Sequence, residues 1–206
     1  LSARFSHMDT IDNIQAHKFA PVKKIFWRNH LLSFKSSYDL KNSLLRIPNN
    51  QRLILKKDAE DQKFLFGFLK NKTLASSFED SISLKQLWDV CRIPDYQNIS
   101  EEKHISLLTD IFQELKSNKW KLGEDFLNKN ISRLEDYSGS IDDLIYTLNE
   151  TRIWLYITNQ KQWIPSSFLV QKVKNIEDKL SEEIHQSLMQ KFIDKNKSQM
   201  VQNLNI

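Results

Sequence analysis

Glycine and proline are scarce: three of the first and four of the second in 206 residues, where average usage puts roughly 14 and 10. A β-sandwich or barrel needs such punctuation every ~8–12 residues, and a doubly wound α/β domain needs glycines at its strand-to-helix turns, so both are disfavoured. Cysteine is nearly missing as well. Cys91 alone excludes an internal disulfide framework and any Cys-rich zinc or iron–sulfur site, and points to a reducing compartment. No apolar run approaches the ~18 residues of a membrane span, and no positively charged leader precedes an apolar stretch, so the expected location is the cytoplasm, with no membrane partner. The first residue is Leu1, which fits a segment of a longer protein.

What is present is a globular composition, 40% hydrophobic and 27% charged, arranged as helices. Ser36, Ser83, Ser100 and Ser140 each stand just before an apolar-periodic run, with Asp39, Gln86 and Asp143 three residues after the first, second and fourth of them and acids directly after Ser100, as helix starts require. Pro48, Pro94, Pro165 and Gly139 mark stops. Ile105, Leu108, Phe112 and Leu115 step by three and four, as do Val173, Ile176, Leu180, Ile184, Leu188 and Phe192, predicting one inward face for each helix. The run from Ile141 to Ile157 becomes apolar nearly all round in its second half, the mark of a central helix. Leu53-Ile54-Leu55 is the only short strand candidate. The predicted fold is an all-α multi-helix bundle, with a small basic helical part over 1–72 and a larger bundle over 73–206, connected through 48–57 and 71–83.

Charge follows the same division. Residues 1–72 hold 14 Lys and Arg against 6 Asp and Glu, residues 73–170 hold 10 against 15, and residues 171–206 hold 6 against 5. A basic end permits nucleic-acid binding by counterion release. The best candidates are Lys23, Lys24, Trp27 and Arg28, read as a short helix after Pro21, with Lys24 and Arg28 four apart on one face to meet phosphates and Trp27 beside them to stack on a base or join the core. A second cluster, Lys191, Lys195 and Lys197, reads as cations offsetting a helix C-terminal dipole.

Catalytic signals are missing. Gly67, Gly123 and Gly139 precede Phe68, Glu124 and Ser140, so no glycine-rich phosphate loop with its Lys exists. Glu182-Glu183-Ile184-His185 resembles an acidic helicase box only in letters, because it falls in mid-helix with Ile184 on the apolar face. The five histidines, at 7, 17, 30, 104 and 185, form no metal-ligand doublet. Glu101 to His104 reads as a helix first turn, where acids favour the dipole. Cys91 reads as a small core residue, and Pro94-Asp95-Tyr96 as a turn with a buried ring. A stand-alone enzyme would need a site that these residues do not supply.

The run Leu87-Trp88-Asp89-Val90-Cys91-Arg92-Ile93-Pro94-Asp95-Tyr96 resembles the "LW(D/E)VCQ(I/V)PDYRK" signature that follows the motor in Suv-three-type RNA helicases, DExH enzymes of superfamily two. Gly139 to Leu144, Arg152-Ile153-Trp154 with Trp163, and Ile176 to Ser181 with His185 and Phe192-Ile193-Asp194 resemble further segments of that family in the same order. Phe19-Ala20-Pro21-Val22 and Trp27-Arg28-Asn29 resemble the junction after its second RecA-like domain. Arg92 stands where the family commonly has Gln, Gln97 where it has Arg, and Asp194-Lys195-Asn196 where it has "DRR". The resemblance implies a C-terminal accessory region that packs on the RecA-like domains of its parent and guides single-stranded RNA or DNA. It implies no ATPase or cofactor of its own, ATP and Mg²⁺ belonging to the parent motor, and an exoribonuclease as a further partner. The alternative is an interaction module that docks proteins such as a nuclease and never touches nucleic acid.

Overall fold

The computed structural model describes residues 11–12, 14–18, 22–70, 78, 80–98, 100–164 and 167–204, with the backbone alone at 167 and 194–204. Its elements in chain order are β1 (Ile25–Trp27), α1 (Ser37–Leu44), β2 (Leu53–Leu55), α2 (Glu60–Lys70), α3 (Ser81–Cys91), α4 (Glu101–Ser117), α5 (Glu124–Ser132) with a 3₁₀ turn at Arg133–Glu135, α6 (Ile141–Thr158) and α7 (Ser167–Leu204). The chain is therefore mostly helical, as its composition requires.

Local chemistry sets most helix starts. The Ser36 hydroxyl accepts from the Asp39 amide, and Ser100 accepts from that of Lys103. Ser140 makes a full capping box with Asp143. Gly139 sits just before it at φ +116°, and a Cβ there would come within 3.0 Å of Asp143, so only glycine lets the chain turn tightly into α6. One start was misplaced in the sequence reading: α3 is capped by Asp80, whose carboxylate accepts from the Ile82 and Ser83 amides, and Ser83 lies inside the helix.

Apolar spacing then assembles the core. Leu84, Leu87, Val90 and Cys91 of α3, and Leu108, Ile111, Phe112 and Leu115 of α4, are all buried, and α2 packs against both helices. Ile153, Trp154 and Ile157 bury the second half of α6, the predicted central helix, which lies along α7. Trp163 beyond it is fully buried and donates its indole N–H to Gln86 Oε1 at 2.9 Å. On α7 the inward face ends early. Val173, Ile176 and Leu180 are buried, but Leu188 and Phe192, expected on the same face, are exposed, as are Met189 and Ile193. The helix outruns the bundle that would cover them, continuing to Leu204, so Lys191 is not in its last turn; the side chains of Lys195 and Lys197 lie outside the described residues.

Two further expectations give way. Leu53–Leu55 is a strand, and Ile25–Trp27, expected in a helix, pairs with it in parallel register: Ile25 with Leu53, Phe26 with Ile54, Trp27 with Leu55. The Tyr96 ring is 47% exposed, because the turn after α3 directs Asp95 inward instead. Of the expected connections, 71–77 and 79 lie outside the described residues, as do Phe19, Ala20, Pro21 and Pro165.

Candidate nucleic-acid interface

Strand geometry rearranges the basic and aromatic residues near Lys24. Side chains alternate across a strand, so β1 sends Phe26 to one face of the two-stranded sheet and Ile25 and Trp27 to the other. Paired residues of a parallel sheet share a face, which sets Ile54 beside Phe26. Lys56 confirms the face: its amide donates to the Trp27 carbonyl at 2.9 Å, and its Nζ stands 5.1 Å from the centre of the Phe26 ring. Lys24 and Arg52 flank the strands at positions of the same parity, and both are exposed. Phe26 itself is 68% exposed. The result is an open aromatic ring with Lys56 against it and the exposed Lys24 and Arg52 at the strand ends.

Trp27 belongs to the opposite face. It is half-buried and lines a cleft of about 380 Å³ with Leu53, Leu31, Ile47 and Pro48. The floor of this region is pinned by Asn29, whose amide donates to the carbonyls of Leu31 (2.9 Å) and Ser43 (2.8 Å) while its Oδ1 accepts from the Leu31 amide. Asn29 thus ties the end of β1 to α1.

Arg28 is engaged elsewhere. Its Nη2 reaches both carboxylate oxygens of Asp61 at 3.0 and 2.9 Å, and the guanidinium stands 5.8 Å from the centre of the Trp88 ring. This paired, partly shielded arrangement fastens β1 to α2 and α3, and its charge is committed within the fold. Of the four residues expected on one short helix, with Lys24 and Arg28 on one face, Lys23 and Lys24 are exposed, Trp27 turns away and Arg28 is a tether. Phe26, Arg52 and Lys56 were missed. The signal for them was the apolar triplet Leu53-Ile54-Leu55, whose partner strand had to be sought where a helix was expected.

The face offers a flat π surface and separated positive charges, the chemistry of base stacking combined with phosphate attraction. Among the described residues no group of three His, Cys, Asp or Glu could hold a metal ion, and no helix is long and apolar enough to cross a membrane. Comparison with known proteins found no match: no family model, no curated protein and no solved structure.

Proposed function

We propose that this chain is the C-terminal accessory module of an ATP-dependent RNA helicase of the Suv-three type, working in the cytoplasm, which guides a single strand and packs on the motor without hydrolysing ATP itself. The observation that supports guidance is the exposed Phe26 ring with Lys56 against it, between strand ends that carry the exposed Lys24 and Arg52. Stacking on an aromatic ring is indifferent to base identity and is worth about 1–3 kcal/mol per base. Cations at the rim add charge without sequence choice. A strand could therefore slide across this face without being read.

The test is binding of the chain to a fluorescent single-stranded RNA of mixed sequence over a range of salt. We expect log affinity to fall with log salt by about 0.7 per neutralised phosphate. Phe26→Ala should weaken binding by about 1–3 kcal/mol at every salt concentration, while Lys24→Glu with Lys56→Glu should flatten the salt slope. Salt-independent binding, or affinity untouched by both variants, would overturn the assignment.

One observation favours the interaction-module reading: the exposed stripe of Leu188, Met189, Phe192 and Ile193 on α7, an apolar surface of the kind that marks protein contacts. Retention of an exoribonuclease by the chain, lost in Leu188→Ser with Phe192→Ser, together with no protection of RNA, would decide for it.

A further inference from the structure

A second concave site is built from four separated stretches of the chain. The turn after α3 contributes Asp95 and Gln97, one face of α4 contributes Lys103, His104 and Leu107, and α6 contributes Tyr146 and Glu150, with Arg133 of the 3₁₀ turn closing the rim. Together they line a partly open cavity of about 150 Å³, room for an aromatic base.

Its polar groups are only half satisfied by one another. Arg133 pairs with Glu150, which also accepts from Gln97 Nε2 at 3.4 Å. Lys103 Nζ donates to the Tyr146 hydroxyl at 2.5 Å, a neutral partner that leaves the ammonium charge uncompensated. The His104 side chain is 2% exposed, and its Nε2 lies 3.1 Å from the Ile93 carbonyl, a contact that requires the proton on Nε2. Nδ1 then carries a lone pair. Opposite it, at 3.7 Å, stands Asp95 Oδ1, another acceptor, too far for a direct hydrogen bond. Burial, the largest influence on the ring, lowers the His104 pKa and keeps it neutral against the opposing pull of the Ile93 carbonyl, Asp95 and Glu60. Asp95 Oδ1 accepts from the Asn98 amide at 2.9 Å and has no direct hydrogen bond to His104 Nδ1, while the exposed Lys103 ammonium lines the same cavity.

A ligand that fits must carry N–H donors on one side and acceptor oxygen or nitrogen on the other, on a body small enough for the volume and apolar enough for Leu107 and the Tyr146 ring. Guanine combines these features. Its N1–H and N2–H₂ are donors, its O6 and N7 are acceptors suited to Lys and Arg, and its faces stack on aromatic rings. We propose that this cavity binds a single guanine base, with N–H donors toward Asp95 and His104 and O6 and N7 toward Lys103. As to source, the assignment rests on the strand-guiding reading: the base comes from a passing single strand, splayed out of its stack, whereas a free guanine nucleotide is the other source of the same chemistry.

The experiment measures binding of GMP, AMP, CMP and UMP, and of two single-stranded RNAs that differ only in containing or lacking guanine, to the chain and to its Asp95→Asn, Lys103→Met and Phe26→Ala variants, each first checked for native circular dichroism and melting. We expect at least about a ten-fold preference for guanine, the discrimination one good base contact supplies, lost in Asp95→Asn and Lys103→Met and kept in Phe26→Ala. A preference seen with the RNAs alone assigns the strand as source, and one seen with GMP while neither RNA binds keeps the pocket and removes the strand-guiding reading. Equal binding of both RNAs, weakened by Phe26→Ala, with no saturable GMP binding, overturns the guanine pocket and leaves strand guidance standing. Tighter binding of a zwitterionic amino acid such as glutamine than of GMP also overturns it.

Discussion

Gln62 shows how much a single side chain can cost. It is 1% exposed, and neither atom of its amide has a hydrogen-bond partner among the described residues, and desolvating polar atoms is costly. Gln62→Met keeps the length and removes the polar atoms; we expect stabilisation of about 1–3 kcal/mol, read as a higher urea midpoint at unchanged slope. His104 acts in the acid direction. Its folded pKa lies below 6.5 because burial disfavours the charged ring, so the unfolded chain takes up a proton first. Stability is complete above pH 6.5, falls as pH drops through the lowered folded value, and levels off below it. Asp80, Asp136 and Asp143 are lowered by hydrogen bonds from Ser83, Ser138 and Ser140, so their contribution is present above their ordinary range and lost only at more acid pH. Asp89, raised by burial, acts with the opposite sign as pH falls, so the His104 share of the change in urea midpoint between pH 7 and pH 5 is the part that His104→Asn removes.

At the scale of elements, the capping box and the end of the buried face of α7 make opposite predictions for similar-looking substitutions. Ser140→Ala removes the hydroxyl half of the box, leaving the residue-140 amide to donate to Asp143 Oδ2, and should cost about 1 kcal/mol in thermal or chemical denaturation. Leu180→Ala opens the buried part of α7 and should cost about 2–5 kcal/mol, whereas Phe192→Ala, at a 63% exposed position, should stay within about 0.5 kcal/mol. The same contrast explains what was legible in the sequence. Caps such as Ser36, Ser100 and Ser140 act within four residues, so the letters suffice. The strands do not announce themselves, since three residues are stable as a strand only through a partner, and Ile25 and Leu53 are brought together across α1. Placing Lys24 to Arg28 on a helix set each side chain beside the wrong neighbour: Trp27 was grouped with the cations where Phe26 stands open, and Arg28 was counted as available although it pairs with Asp61. The stripe on α7 has helical spacing along its whole length, but only the bundle decides where its cover stops. The cavity at His104 was invisible for a related reason, because Tyr146 and Glu150 join it from α6, more than forty residues away along the chain.

Across the whole molecule one apolar cluster runs from Leu40 in α1 to Leu180 in α7, so the helices share a single cooperative interior and should unfold together. The sheet is the exception. β1 and β2 contribute no residue to that cluster, two short strands are marginal by themselves, and their attachments are polar, through Arg28 to Asp61 and Asn29 to the end of α1. Its backbone protons should therefore leave early. In amide hydrogen exchange the Ile25 and Lys56 amides, which bond to the Arg52 and Trp27 carbonyls, should exchange through a local opening at low denaturant, while those of Trp154 and Ile157 wait for global unfolding. Equal protection at all four would refute that order. Because β1 and β2 run parallel, they cannot be joined by a tight turn, and everything between them, α1 included, must be in place before they meet. Refolding should then deliver the strand pair late, so a chain arrested before that step would hold a formed helical interior while its Phe26 surface was still unassembled.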